Sequence, residues 1–465
     1  MDFIEDIRLV DGPAVWIAWA AGAAGLGYLL WWRMRKRASG PAAAVLGAAV
    51  LLAAALVAGV HWLLIYGLSV FPEELPWETL AWSVPAVAGL LLYFLRLGSI
   101  WGLRGIRRRR SSRPEPSQPR PQPRRRPVRP WRSTAVATGA FLGVLALSAV
   151  QTNVYFGLNH TVSDLTGTAV ARIPSLDAGL ERLAGAAPAV SLARWTAQGD
   201  LPEGVIRKAE IPGTTSGFHS REAYIYLPPA YQGSPRPALP VLVLFSGQPG
   251  SPADWLIGGA LRSRLDRFAS EHAGVTPVVV VVDPNGSPSG NTLCMDSRIA
   301  QADTFLAADV PAWINRTLDV DPDPRQWAAG GFSFGATCAM QMVTRHPDVY
   351  TAALAFSSEK EPALAKERDK TVQASFGGDT AAFDRQTPLQ LMTEHHFDGN
   401  TIYFGAGERD PEFIGYMDQL SDAARKAGFT VEAHRIANAG HSWETASSGL
   451  PGGLDFLARR WGITP

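Results

Sequence analysis

Four long apolar runs in the first third of the sequence constrain its fold more than any other feature. Two of them, Pro13–Trp32 and Pro41–Tyr66, have 20 and 26 residues without a single Asp, Glu, Lys or Arg. Leu80–Trp101, which contains one arginine, and the shorter Thr134–Val150 follow. A helix crosses about 30 Å of hydrocarbon with about 20 apolar residues, and lipid leaves no backbone polar group unpaired. Residues 1–151 are therefore predicted to be an all-α region of four transmembrane helices.

The positions of Lys and Arg predict the orientation of these helices. Residues 33–37 carry four basic side chains, and the loop 104–132 carries twelve arginines and one glutamate. Cytoplasmic loops are enriched in Lys and Arg, so both segments should face the cytoplasm. Everything after Val150 should then lie outside, which predicts a multi-pass protein of the cell membrane with an extracytoplasmic C-terminal domain.

The basic loop 104–132 is also rich in proline, which disfavours helices and packed cores and predicts an extended conformation. Its charge suits anionic lipid headgroups. Trp131 is the only aromatic residue among its arginines, so nucleic acid is not an expected partner. The lipid bilayer is the expected one, or the loop serves only to set the topology.

After the apolar runs, the sequence changes to a pattern of alternating strands and helices. Residues 152–203 are predicted to form an extracytoplasmic stalk or linker. From residue 204 to 465, apolar runs such as Leu239–Phe245 are typical of strands buried on both faces. Helices are expected between them, for example Trp255–Ser270. This alternation predicts an α/β domain whose doubly wound, mainly parallel sheet has helices on both faces.

The pentapeptide Gly331-Phe332-Ser333-Phe334-Gly335 marks a candidate nucleophile. In a G-x-S-x-G elbow, a strand turns sharply into a helix and exposes the serine hydroxyl. Arg325–Ala329 can form the short strand before it, and Ala336–Arg345 reads as the helix after it. Ser333 is therefore predicted to be a catalytic nucleophile.

A serine nucleophile needs a base and an acid. In enzymes with this elbow, both follow the serine along the chain. His441, in the loop between the last predicted strand and helix, is the predicted base. The acid should follow the predicted strand Thr401–Phe404. Asp410 is preferred there, with Glu408 second and Glu412 third, and Asp410 could also cap the next helix.

The oxyanion of an acyl-transfer reaction requires backbone N–H donors. Phe334 directly follows the nucleophile and should supply one donor. The turn Ser246–Gly250, after the strand Leu239–Phe245, should supply the other, and Gln248 is the candidate.

The two cysteines of the chain, Cys294 and Cys338, are both predicted near the active-site face. Thiols oxidise outside the cytoplasm, so we predict a disulfide between them. The histidines and acidic residues show no spacing typical of a metal site, and no glycine pattern for a nucleotide is present. No metal or cofactor is expected.

Residues 204–463 resemble the esterase D and antigen 85 group of α/β-hydrolases, which includes mycolyltransferases, S-formylglutathione hydrolases and feruloyl esterases. The resemblance is carried by the Ser246-Gly247-Gln248 turn, the elbow, the segment Tyr224–Tyr231 and Gly440-His441-Ser442-Trp443-Glu444. It implies an α/β-hydrolase fold, a Ser333–Asp410–His441 triad and an oxyanion hole of Gln248 and Phe334. The turn Gln248–Pro252 lacks the acidic residues with which mycolyltransferases bind trehalose.

Together these features predict a membrane-anchored serine esterase or acyltransferase that works through an acyl-enzyme. Its substrate would be an ester or acyl donor, such as an envelope lipid or glycolipid. The alternative is a non-catalytic envelope protein that uses the hydrolase fold for binding or assembly.

Overall fold

The computed structural model describes residues 2–34, 39–70, 72–109, 130–182, 189–197 and 201–464. The described chain forms two compact units. The first comprises Met1–Leu68 and Glu73–Tyr155, and the second comprises Ser69–Pro72 and Phe156–Pro465.

The first unit is helical, as the apolar runs predict. Among the described residues, four helices are long and apolar enough to cross a membrane, judged by length and composition. Gly25 and Gly143 allow two of them to approach closely, because a Cβ at Gly25 would lie 2.3 Å from the carbonyl oxygen of Ala140. The α-helices are Asp2–Glu5, Pro13–Met34, Ser39–Trp62, Trp77–Arg109 and Pro130–Phe156, and a π-helical turn, Leu63–Gly67, follows the third.

The predicted basic loop 104–132 is shorter than expected. Residues 104–109 continue the helix Trp77–Arg109, and residues 130–132 begin the helix Pro130–Phe156. Arginine has a high helix propensity, and proline is favoured in the first turn of a helix. The predicted extended conformation of residues 110–129 lies outside the described residues.

The second unit is built on an eight-stranded sheet, which confirms the α/β-hydrolase fold. Its strands are β1 Val205–Ala209, β2 Ala223–Leu227, β3 Val241–Phe245, β4 Val278–Val282, β5 Trp327–Phe332, β6 Ala352–Phe356, β7 Thr401–Gly407 and β8 Thr430–Ile436. They lie in the order β8-β7-β6-β5-β3-β4-β2-β1. The six strands from β8 to β4 are parallel, whereas β2 pairs antiparallel with both β4 and β1.

Helices flank this sheet and bury it on both faces, so the strands β2 to β7 are completely buried. The elbow helix, Phe334–Arg345, and the acid helix, Pro411–Lys426, follow the strands that carry the predicted site. The other α-helices are Val162–Leu165, Thr168–Ala171, Ala253–Ile257, Leu261–Glu271, Ala302–Thr304, Val310–Thr317, Arg368–Phe376, Thr380–Asp384, Pro388–Glu394 and Trp443–Trp461, and a π-helical turn, Phe305–Asp309, joins the fifth and sixth.

Two predicted elements of this unit differ from the structure. The expected helix Trp255–Ser270 is interrupted between Ile257 and Leu261, where Ala260 has a left-handed φ of 48°. Beside this break, Gly258 packs closely against Trp443, since a Cβ at Gly258 would lie 2.5 Å from Cγ of Trp443. The strand expected at residues 325–329 begins later, at Trp327, because Pro324–Gln326 forms a 3-10 turn.

The segment 152–203, predicted as a stalk or linker, contains helical residues and partly buried side chains where the structure describes it. Its first residues complete the helix Pro130–Phe156. Further along, side chains such as Ile173, Leu176 and Leu180 pack against the core of the second unit. Burial of these apolar side chains stabilises a compact arrangement.

Candidate active site

The elbow around Ser333 joins the buried strand β5 directly to the elbow helix. Ser333 has φ 54° and ψ −124°, a backbone conformation that residues other than glycine rarely adopt. A Cβ at Gly331 would lie 2.0 Å from the carbonyl carbon of Gly335, and a Cβ at Gly335 would lie 2.3 Å from the carbonyl oxygen of Phe245. Only glycine fits at these two positions. The tight turn leaves Ser333 half-buried at the carboxyl end of the strand.

His441 lies in the loop after β8 and touches both other members of the predicted triad. Its Nε2 is 3.0 Å from Oγ of Ser333, and its Nδ1 is 3.1 Å from Oδ2 of Asp410. The imidazole also packs against the rings of Phe332 and Phe413, with centroids 5.1 and 4.1 Å away. Hydrogen bonds at both nitrogens and rings beside the imidazole restrict its rotation.

Asp410 follows β7 and caps the acid helix, so its two carboxylate oxygens have different partners. Oδ1 accepts a hydrogen bond from the backbone N–H of Phe413 at 3.4 Å, while Oδ2 faces His441. Glu408, the second candidate, is exposed and accepts from the N–H of Asn438. Glu412, the third, accepts from Tyr416 and Lys366. The structure thus brings Asp410, of the three candidates, to the imidazole.

The two predicted oxyanion donors belong to adjacent segments. Phe334 is the first residue of the elbow helix, where backbone N–H groups have no intrahelical acceptor. Gln248 lies in the turn after β3, and the last residue of β3, Phe245, pairs with Gly331. We call Ser246–Gly250 the oxyanion turn. It lies beside the elbow, and its Gln248–Pro249 peptide bond is cis.

Two charged residues beside this turn were missed by the sequence analysis. Arg221, just before β2, forms a bidentate ion pair with Asp283 and donates to the carbonyl oxygen of Gly250. Asp283 directly follows the buried strand β4, a position where functional polar residues of such sheets gather. That position could have identified Asp283, whereas nothing in the local pattern singles out Arg221.

Asp254 contacts Ser251, the residue directly after the oxyanion turn. Its carboxylate accepts from the N–H of Ser251 at 2.7 Å and from its hydroxyl at 3.1 Å. Burial raises the pKa of Asp254, although these hydrogen bonds and the charge of Arg221 oppose the rise.

Cys294 and Cys338 form a disulfide, with Cα atoms 5.5 Å apart. Cys338 lies on the elbow helix, and Cys294 lies in the loop after β4. Gln341 and Arg345 of the same helix donate to the carbonyl oxygens of Leu293 and Cys294. The loop is thereby tied to the helix that presents the nucleophile.

In the part of the chain that the structure describes, no group of three or more His, Cys, Asp or Glu side chains could hold a metal ion. A hydroxyl, an imidazole and a carboxylate in hydrogen-bonded series can move a proton from the serine to a leaving group.

Comparison with known proteins gives a family match and a relative in sequence. A family model described as "Putative esterase" matches residues 217–457. An uncharacterised protein of Corynebacterium glutamicum is 37% identical over 274 residues, which cover 57% of this chain and 64% of that relative. The chain therefore spans less than two thirds of that relative's length.

Solved structures with a similar fold were also found. A ferulic acid esterase is 19% identical with a TM-score of 0.47, and the match covers 57% of this chain and all of that one. The S-formylglutathione hydrolase of Agrobacterium tumefaciens is 20% identical with a TM-score of 0.46, covering 57% and 99%. MPT51 of Mycobacterium tuberculosis is 18% identical with a TM-score of 0.40, covering 56% and 99%.

Proposed function

Since the chain belongs to the esterase family of hydrolase enzymes, we propose that Ser333, His441 and Asp410 are its catalytic triad and that it acts on carboxylic esters from a membrane anchor. The observation that carries this proposal is the hydrogen-bonded series from Ser333 Oγ through His441 to Asp410 Oδ2. An activated serine requires a base within hydrogen-bond reach and a group that orients the base.

The proposed reaction begins when Ser333 Oγ attacks the ester carbonyl carbon and His441 Nε2 takes its proton. The carbonyl oxygen becomes an oxyanion that accepts from the N–H groups of Phe334 and Gln248. The intermediate then expels the alcohol, which receives the proton from His441 and leaves an acyl-enzyme. Water or a second hydroxyl compound attacks the acyl carbon in the same way and restores Ser333. Asp410 stabilises the imidazolium in both halves.

Labelling with a fluorophosphonate tests the nucleophile directly, because an activated serine oxygen displaces fluoride from phosphorus. Full-length protein in detergent would be compared with Ser333→Ala and His441→Ala by intact mass and by p-nitrophenyl ester hydrolysis. Matched controls are Ser270→Ala and His434→Ala, whose residues are exposed and far along the chain from the elbow. One adduct on the wild type and controls is expected, absent from Ser333→Ala and formed much more slowly in His441→Ala. A folded wild type without an adduct would contradict the esterase mechanism and favour a binding protein.

The membrane anchor and its orientation form the second part of the proposal. The proposal is supported by four apolar helices in the described residues and by basic segments that, in the sequence, join the first to the second and the third to the fourth of them. Because cytoplasmic loops are rich in Lys and Arg, we propose a cytoplasmic loop 104–132 and an extracytoplasmic hydrolase unit. The substrates would then be esters at the extracytoplasmic surface of the membrane. Lipids and glycolipids there are suitable acyl donors.

Cysteine labelling on intact cells tests this orientation, because both native cysteines are in a disulfide. Ser270→Cys places a thiol on the exposed surface of the hydrolase unit, and Ser112→Cys places one in the predicted cytoplasmic loop. A membrane-impermeant maleimide should label the first variant on intact cells and the second only after lysis. The reverse pattern would contradict the proposed topology.

A further inference from the structure

Arg221 connects three separate segments at the carboxyl end of the sheet. Its Nε and one terminal nitrogen donate to the two carboxylate oxygens of Asp283, at 2.6 and 3.0 Å. The same terminal nitrogen donates to the carbonyl oxygen of Gly250 at 2.8 Å. Arg221 precedes β2, Asp283 follows β4 and Gly250 ends the oxyanion turn after β3. The side chain of Arg221 thus links loops that flank three different strands.

Asp283 makes this arrangement rigid. Its side chain is fully buried, whereas that of Arg221 is 24% exposed. Its Oδ1 also accepts from the N–H of Asn285, and its carbonyl oxygen accepts from the hydroxyl of Ser220. A buried carboxylate with several hydrogen-bond donors is costly to leave without its cation. Asp283 therefore fixes where the guanidinium of Arg221 lies.

The contact with Gly250 is the part that reaches the proposed chemistry. The N–H of Gly250 donates to the carbonyl oxygen of Pro288, so both backbone polar groups of Gly250 have partners outside the turn. At the other end of the turn, the N–H of Ser246 donates to the carbonyl oxygen of Val282. Gln248 lies between Ser246 and Gly250. Their hydrogen bonds fix both ends of the short segment that carries the Gln248 N–H.

We infer that Arg221, oriented by Asp283, is a positioning residue that keeps the Gln248 N–H directed at the oxyanion. This inference rests on the proposed esterase function. Oxyanion donors act only when they lie within about 3 Å of the developing charge, and catalytic groups must be held within about 0.5 Å of the productive geometry. The guanidinium does not touch the substrate; it acts through the Gly250 carbonyl.

Two variants of full-length protein in detergent test the inference. Arg221→Gln removes the charge and the fork, and Arg221→Lys keeps a charge beside Asp283 but cannot donate in the same planar geometry to both partners. Arg207→Gln is the matched control, because Arg207 is 20% exposed and pairs with Asp177, a residue outside the oxyanion turn.

Arg221→Gln is expected to lower kcat for a p-nitrophenyl ester about 10- to 100-fold. This fall in kcat should not exceed the one caused by removing an oxyanion donor outright. KM should change by less than about threefold, because the ground-state carbonyl makes little use of the oxyanion hole. Arg221→Lys should fall between Arg221→Gln and the wild type. Inhibition by a trifluoromethyl ketone, which forms an oxyanion on Ser333, should weaken about as much as kcat. Inhibition by the carboxylate product should not.

The outcomes separate this inference from the proposed function. A wild type that the fluorophosphonate does not label refutes both. A labelled wild type with a folded Arg221→Gln or Arg221→Lys that keeps full kcat and full ketone affinity refutes only the positioning role. If Arg221→Gln does not fold, Arg221→Lys decides, because the buried charge of Asp283 is still neutralised. Equal losses in Arg207→Gln would assign the effect to general stability and also refute it.

Discussion

The ring of Phe413 lies 4.1 Å, centroid to centroid, from the imidazole of His441, while the backbone N–H of Phe413 donates to Oδ1 of Asp410. One residue in the first turn of the acid helix therefore contacts both the proposed base and the proposed acid. Its backbone sets the position of the carboxylate, and its side chain limits the orientation of the imidazole.

Phe413→Leu should lower kcat about 5- to 50-fold, because small displacements of a catalytic group cost up to about 100-fold. The backbone N–H to Asp410 remains in this variant, so the effect reports the ring alone. Steady-state kinetics of ester hydrolysis would measure it. Phe397→Leu is the matched control, since Phe397 is equally buried and stacks on Phe429 at 4.6 Å. A similar loss of kcat in both variants would contradict the specific role of Phe413.

Asp410→Asn should reduce kcat by about 10⁴, because the amide favours the wrong imidazole tautomer and cannot stabilise the imidazolium. Glu408→Gln should remain within about twofold of the wild type, since Glu408 is exposed and bonds to the N–H of Asn438. Hydrolysis rates of the two purified variants decide between the carboxylates. A large loss in Glu408→Gln with little loss in Asp410→Asn would reverse the assignment of the acid.

Gly335→Ala should destabilise the hydrolase unit by several kcal/mol, because the new Cβ meets the backbone of Phe245 at 2.3 Å and must push β3 or the elbow aside. Gly415→Ala is the opposite case. Gly415 is exposed in the acid helix with nothing within 4 Å of its Cβ position, so alanine should stabilise by about 0.5–1 kcal/mol. Thermal unfolding measures both. Equal Tm values for the two variants would contradict the crowding at the elbow.

Loss of the disulfide should destabilise the hydrolase unit by about 2–4 kcal/mol, because Cys294 and Cys338 are separated by 44 residues and their link restricts the unfolded chain. The double variant Cys294→Ala/Cys338→Ala would be compared with oxidised and reduced wild type by thermal unfolding. Reductant should lower the Tm of the wild type and leave the variant unchanged. An unchanged wild-type Tm under full reduction would count against a stabilising role.

Asp303 should contribute to acid sensitivity. Burial alone would raise its pKa, but the charge of Arg345 and the hydrogen bond with His346 outweigh burial and hold the pKa below its ordinary value. A lowered folded-state pKa stabilises the protein above about pH 4, and this contribution disappears as the pH falls further.

Asp303→Asn should therefore destabilise the protein near neutral pH and weaken the dependence of its unfolding free energy on pH below about pH 4. Denaturation at a series of pH values measures this slope. Asp422→Asn is the control, because Asp422 is 71% exposed in its pair with Arg425. The same slope in Asp303→Asn and the wild type would contradict the contribution.

Features that depend on a local pattern, or on the order of residues along the chain, were predictable from the sequence. The order of residues along alternating strands and helices predicted Ser333 and His441 and made Asp410 the preferred one of three candidate acids. The structure brings these three side chains within hydrogen-bond distance. The parallel sheet followed from apolar runs, whose burial leaves little choice of arrangement. The antiparallel pairing of β2 with β4 depends on strand order, which hydropathy does not encode.

Contacts between distant segments were not predictable. The close packing of Gly258 against the ring of Trp443, 185 positions away, is one example, and no local pattern at Gly258 reveals it. The role of Arg221 likewise depends on a carbonyl oxygen and a carboxylate from two other loops. A backbone carbonyl has no identity in the sequence, so its partners become visible only when the chain is folded.

The left-handed φ of Ser333 has a consequence for how such a protein could diverge. A non-glycine residue in a sparsely populated backbone region costs about 1–3 kcal/mol, and the proposed role of Ser333 as a nucleophile gives this cost a purpose. A lineage released from selection for catalysis would gain stability by replacing this serine with glycine, which adopts the same conformation without strain. A serine at this point of the elbow therefore lowers the free energy of unfolding relative to a glycine.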